Sequence, residues 1–151
     1  MRKTVRDAMT PNPRAVSPGS SVVEAARLME QEDVGSLPVV EGDEVLVGIV
    51  TDRDIAIRVV AAGKDPASTS VGDVFTEHPS CAYPDEPLDE ALEQMVYRRV
   101  RRLPVVEDDR LVGILAQADV VHEVKDKKAA QVIEEISQPV EIGRASCRER
   151  V

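Results

Sequence analysis

Thr51 and Asp54 stand three positions apart in the stretch GIVTDRDI, Gly48–Ile55. A hydroxyl and a carboxylate at this spacing, where an apolar strand gives way to a helix, suit a sugar phosphate. The first N–H groups of a helix lack intrahelical partners and sit at its positive end, which favours a phosphate. The Thr51 hydroxyl adds a donor, and the Asp54 carboxylate, one turn on, can accept both hydroxyls of a ribose. The same pair also matches the S/T-x-x-D/E helix cap, worth about 1 kcal/mol with no ligand at all. The two roles are compatible, because a cap hydroxyl faces the mouth of the helix. Asp52 and Arg53 lie between the pair. A second stretch, GILAQADV at Gly113–Val120, repeats the glycine, the apolar pair and the aspartate (Asp119), with Ala116 in place of the hydroxyl.

The other notable chemistry is cationic. YRRVRRLPVV, Tyr97–Val106, carries Arg98, Arg99, Arg101 and Arg102 in an otherwise acidic chain. Arg98 and Arg99 suit a helix C-terminus, where cations are favoured. Arg101 and Arg102 stand at the start of a strand, where their counterparts Gly35 and Ser36 are small and neutral, and arginine is well matched to phosphate. Arg53 and Lys64 are weaker phosphate candidates. His78 and His122 show no metal-ligand spacing. Cys81 has no local basic partner to make it a nucleophile. Met9, Met29 and Met95 read as core filler.

Composition bounds the function. The chain has 151 residues, a formal net charge of −9 and 42% hydrophobic residues, with no Trp, one Phe and two Tyr. The core must therefore be aliphatic. The negative balance argues against nucleic acid and anionic membranes as partners, and the scarcity of aromatics argues against stacked single strands. No apolar run approaches the ~18 residues of a membrane span, and MRKTVRDAMT has no apolar h-region. The tail GRASCRERV (143–151), with Cys147, is not patterned like the rest and reads as a cloning remnant. Cys81 is then left alone, which points to a reducing, cytoplasmic setting.

The elements that must position these residues are written twice. At a shift of 66 residues Val5 meets Val71, Asp7 meets Asp73, Thr10 meets Thr76, Pro13 meets Pro79, and LPVVE (37–41) meets LPVVE (103–107). After the turn the shift is 65: LVGI (46–49) meets LVGI (111–114), and Asp54 meets Asp119. In each copy an amphipathic helix comes first: Ser21 and Glu24 form its capping pattern in copy one, and Pro87 suits the first turn in copy two. Two short apolar strands around the turns EGDE and EDDR read as a hairpin, and a second helix follows, in copy one from near Asp52 to before Gly63. The expected division is 1–64, 65–126 and a C-terminal helix over 127–142, with 62–70 as the linker. A repeat of ~60 residues has little core of its own, so the copies are expected to pack about a pseudo-two-fold axis.

The motifs DAMTPNP…VSPGSSVVEAARLM and GSLPVVEGDEVLVGIVTDRDI, and their repetition, resemble a CBS-domain pair, the module named after cystathionine β-synthase. The stretch TDRDIAIRVVAAGKDP is also similar to the small stand-alone CBS-pair proteins called hypoxic response proteins. The resemblance covers roughly Thr4 to Val124. It implies an α/β (α+β) fold of two β-α-β-β-α motifs and a regulatory role without catalysis. It also implies an adenosine-containing ligand (AMP, ADP, ATP or S-adenosylmethionine) in a cleft between the copies, with no cofactor or metal required. The family signature falls on Gly48, Thr51 and Asp54 and, without its hydroxyl, on Gly113 and Asp119. The expected site is Thr51, Asp54, Asp52 and Arg53, with Arg101, Arg102 and Asp119 from copy two. An adenine slot is expected from Pro13, Arg14 and Val16 and from Gly35 and Leu37. The arginines tilt the choice toward a phosphorylated ligand, AMP or ATP. A homodimer through the helices and an unidentified protein partner are expected. The alternatives are a ligand-free interaction module and an S-adenosylmethionine sensor.

Overall fold

A computed structural model of the chain describes residues 2–123, apart from the side chains of Val121 and His122. The expected C-terminal helix over 127–142, the tail and Cys147 lie outside the described residues. The chain forms two compact units whose composition cuts across the repeat. One is Arg14–Pro79; the other joins the segment up to Pro13 to the chain from Ser80 onward.

In the unit Arg14–Pro79, helix α2 spans Val22–Glu32, and Ser21 Oγ accepts the Glu24 N–H at 3.1 Å to cap it. The helix stops at Asp33, which is left-handed (φ 54°). Strands β2 (Ser36–Glu41) and β3 (Val45–Thr51) form the antiparallel hairpin that the two apolar runs around EGDE predict, with Leu37 opposite Val50 and Ser36 opposite Thr51. Helix α3 (Asp52–Ile55) runs into a π-helical stretch, Ala56–Val60, in which the Ala61 N–H reaches the Ala56 carbonyl at 2.9 Å. The expected single helix is therefore two kinds of turn, followed by Gly63 at φ +73°. Val71 and Val74, from a short 3-10 turn, and β4 (Thr76–Glu77) complete the unit; β4 pairs with β3. The core is aliphatic: Val22, Ala25, Met29, Val39, Val50, Val59, Val71 and Val74 are all buried.

The other unit repeats the plan with a lead-in from the beginning of the chain. Helix α1 (Val5–Ala8) and strand β1 (Thr10–Pro11) precede α2 in sequence but pack here. Helix α4 (Leu88–Arg98) ends at left-handed Arg99, and β5 (Arg102–Glu107) and β6 (Arg110–Ala116) form the hairpin. Helix α5 covers Gln117–Glu123. β1 pairs with β6, with Thr10 opposite Ile114 and Pro11 opposite Gly113. Val5 and Ala8 share a core with Leu88, Leu92, Met95, Leu103 and Leu115.

Candidate functional site

The residues around Thr51 are placed by the end of β3 and the start of α3. Thr51 Oγ1 accepts the Asp54 N–H at 3.0 Å, and Asp54 Oδ2 accepts the Thr51 N–H at 3.0 Å. This is a complete reciprocal capping box. The hydroxyl is used as an acceptor, so its own proton remains available to point outward. Asp54 is largely enclosed, its side chain 12% exposed, and its second oxygen lies 4.0 Å from Arg58 Nε. Arg58 Nη1 in turn donates to the Val74 carbonyl at 3.0 Å.

Next to this pair, the Asp52 N–H donates to the Gly35 carbonyl at 2.9 Å, and Asp52 Oδ1 accepts the Arg53 N–H at 2.8 Å. A Cβ on Gly35 would sit 3.0 Å from Asp52 Oδ2, so the glycine gives the carboxylate its room. The Arg53 side chain is exposed. Gly35, Asp52, Thr51 and Asp54 thus form one polar cluster at the strand-to-helix turn. Val16 and Leu37 are placed differently from an open slot. Their side chains are core residues at 7% and 2% exposure, and the Val16 backbone is bonded to Pro38 and Val40 on β2. Arg14 lies on the surface with Glu32 at 3.9 Å.

In the other unit, the Gln117 N–H donates to the Arg101 carbonyl at 3.0 Å, the counterpart of the Asp52–Gly35 bond. Arg102 faces Ala116 across the hairpin. The Arg101 side chain is exposed and Arg102 half-exposed, and among the described residues neither has a carboxylate within ion-pair distance. Asp119 receives the Thr10 hydroxyl at 3.5 Å. Pro13 is half-buried at the end of the same unit's lead-in.

Three features were not read from the sequence. Thr10 supplies a hydroxyl beside Asp119 where Ala116 has none. Arg58 stands beside Asp54, four positions on, a spacing that could have revealed it. The signature glycines have a packing reason: a Cβ on Gly48 would come within 2.2 Å of the Phe75 ring, and one on Gly113 within 2.7 Å of Met9 Sδ. Both let a lead-in strand press against the hairpin. Elsewhere, Arg98 Nη1 donates to Ser80 Oγ at 2.7 Å. Burial pushes the Cys81 thiol up from its ordinary value, which opposes thiolate chemistry. Among the described residues no group of three or more His, Cys, Asp or Glu is placed to hold a metal ion.

Comparison with known proteins places this arrangement. The chain is 40% identical over 135 residues to the CBS domain-containing protein YhcV of Bacillus subtilis, covering 89% of this chain and 95% of that one. It is 33% identical over 137 residues to hypoxic response protein 1 of Mycobacterium tuberculosis, covering 91% and 96%. A crystal structure of hypoxic response protein I with two coordinated zinc ions superposes with a TM-score of 0.74 at 34% identity, over 81% of this chain and 99% of that one. CBSX2 in complex with AMP matches with a TM-score of 0.70 at 31% identity, over 80% and 94%. The CBS domain pair of MJ0100, in complex with 5′-methylthioadenosine and S-adenosyl-L-methionine, matches with a TM-score of 0.70 at 29% identity, over 82% and 96%. The CBS domain family model matches residues 5–61 and again 71–126, and the chain belongs to the CBS-domain family as a tandem pair.

Proposed function

We propose that this CBS pair is a regulatory module, without catalysis of its own, that senses an adenine nucleotide (AMP, ADP or ATP) and transmits its presence to a protein partner in the cytoplasm. The observation that carries the reading is the Thr51–Asp54 cluster. It puts a hydroxyl whose proton the cap does not use, a nearly enclosed carboxylate and the start of a helical segment in one place. A phosphate is served by the hydroxyl at the positive end of the helical segment, and a ribose diol by the carboxylate. AMP and S-adenosylmethionine complexes among the structural neighbours support an adenosine-containing ligand. The guanidiniums of Arg101 and Arg102, with no carboxylate at ion-pair distance among the described residues, favour a phosphorylated one. Ligand would act by shifting the population toward the conformation that binds it best.

Calorimetry with AMP, ATP and S-adenosylmethionine tests the reading. A nucleotide should bind, and Asp54→Ala should weaken it at least about tenfold, since a hydrogen bond to a charged group contributes ~1.5–3 kcal/mol. A folded Asp54→Ala variant with wild-type affinity removes Asp54 from the site. Preference for S-adenosylmethionine would support the sensor reading with a different ligand. No binding at all would favour an interaction module in which the Thr51–Asp54 box is only a cap.

Assembly is part of the proposal. Val22, Val23, Ala26, Arg27 and Ile55 line a shallow groove of about 330 Å³ on the unit Arg14–Pro79. Beside it in the chain, Ile57 is 53% exposed and Val60 67%. A second copy pairing its helices here would cover this apolar surface, so light scattering at micromolar concentration should give a dimer mass. A monomer mass would refute the homodimer.

A further inference from the structure

Arg58 has a place in the unit Arg14–Pro79 that the family signature does not assign. It follows Asp54 by four positions, so both side chains leave the same side of the helical segment. Oδ2 of the Asp54 carboxylate accepts the Thr51 N–H at 3.0 Å, and Oδ1 forms an ion pair with Arg58 Nε at 4.0 Å. Arg58 is itself tied down, because its Nη1 donates to the carbonyl of Val74, a fully buried core residue. The pair is therefore unlike a loose surface contact, in which two long side chains must be ordered together.

The other copy lacks this cation. The shift of 65 that carries Asp54 onto Asp119 carries Arg58 onto Glu123 (58 + 65). Glu123 pairs with Lys3 at 3.0 Å, and Asp119 is met by the neutral Thr10 hydroxyl. One carboxylate has a tethered guanidinium beside it. The other has a hydroxyl, and a second carboxylate one turn on.

We propose that Arg58 is a positioning residue that fixes the Asp54 carboxylate for a ribose diol, making the Thr51–Asp54 site the ribose-selective one of the two copies. The inference rests on the adenosine reading above. A diol needs two acceptor lone pairs held in one plane, and the terminal torsion of an aspartate is broad and easily turned. The Thr51 N–H restrains one oxygen, and the Arg58 guanidinium attracts the other. Loss of Arg58 would let the carboxylate turn and weaken contacts to the diol while sparing those to phosphate and base.

The test compares AMP with 2′-deoxy-AMP by calorimetry in wild type, Arg58→Met and Arg58→Lys. Wild type should prefer AMP. Arg58→Met should cut that preference about two- to fivefold, the range for a partly exposed ion pair, with little change in affinity for the deoxy ligand. Arg58→Lys should restore most of the preference. A structural staple would lower the melting temperature and both affinities together; an unchanged preference in folded Arg58→Met therefore overturns the proposal. If Arg58→Met does not fold, Arg58→Ala, which also removes the cation beside Asp54, carries the same comparison with the same overturning result. Wild type that binds neither ligand fails the adenosine reading and takes the proposal with it. Wild type that prefers AMP while the variants keep that preference fails the proposal alone.

Discussion

Ala116 is the residue at which the two copies part most plainly. In copy one the hydroxyl of Thr51 caps the helix by accepting the Asp54 N–H. In copy two the methyl of Ala116 can make no such bond, and the hydroxyl near Asp119 comes from Thr10 on β1. Ala116→Thr therefore separates two contributions that coincide at Thr51. As a cap, the new hydroxyl should stabilise the fold by about 1 kcal/mol and raise the melting temperature. As a phosphate donor, it should also strengthen nucleotide binding at the weaker of two unequal sites, by up to about tenfold for a hydrogen bond of ~1.5 kcal/mol. Calorimetric titration beside melting curves distinguishes them. A higher melting temperature with superimposable isotherms would leave capping as the only role of the hydroxyl and would count against phosphate contact at Thr51 as well.

At the scale of elements, short helices here depend on caps more than on length. Helix α1 has four residues, too few to persist alone, and is held by the Thr4–Asp7 box. Asp7 Oδ2 accepts the Thr4 N–H at 2.9 Å and the Thr4 hydroxyl at 3.2 Å. These bonds, the backbone one foremost, hold the Asp7 carboxyl below its ordinary value of 3.8. The ionised form is thus the one the fold favours. Its contribution is complete above that ordinary value and is lost as pH falls through the lower folded-state value. Asp7→Asn should lower the melting temperature at pH 7, and the gap to wild type should narrow below about pH 4. A gap that stays constant from pH 7 to pH 2 would show that Asp7 adds nothing through its charge. Such caps were legible in the sequence at Ser21 and Thr51, because a cap is a local pattern. The hairpins were legible for the same reason, as two apolar runs around the turns EGDE and EDDR. The π-helical stretch Ala56–Val60 was not, since its residues are ordinary helix formers and the change lies in which carbonyl each N–H selects. Nor was the burial of Val16 and Leu37. They were expected to line an apolar slot for adenine, and they lie in one buried cluster with Val22, Val50 and Val71.

For the molecule as a whole, the decisive feature is that a repeat in sequence is not a unit in space. The lead-in of copy one packs with the body of copy two: the Val5 N–H donates to the Glu86 carbonyl at 3.0 Å, and the Leu88 N–H to the Lys3 carbonyl at 2.9 Å. The lead-in of copy two does the same with the body of copy one, where the Val71 N–H donates to the Ser20 carbonyl at 2.8 Å. Internal homology shows which residues correspond but not which core each joins, so the exchange could not be read from the shift of 66. It has a measurable consequence. Deleting residues 2–13 removes β1, the buried Val5 and Ala8, and the ion pairs of Arg2, Lys3 and Arg6 with Asp89, Glu123 and Glu107. Burying one valine is worth ~1.5–3 kcal/mol, a large part of a typical domain stability of ~5–15 kcal/mol. Hydrogen exchange followed by mass spectrometry should then show lost protection in α4, β5 and β6, which are distant in sequence from the cut. The nearer β2–β3 hairpin, whose core is closed by Val71 and Val74, should keep its protection. The opposite pattern, with β2 and β3 opening while β5 and β6 stay closed, would mean that the lead-in serves its own copy and would overturn the exchanged arrangement.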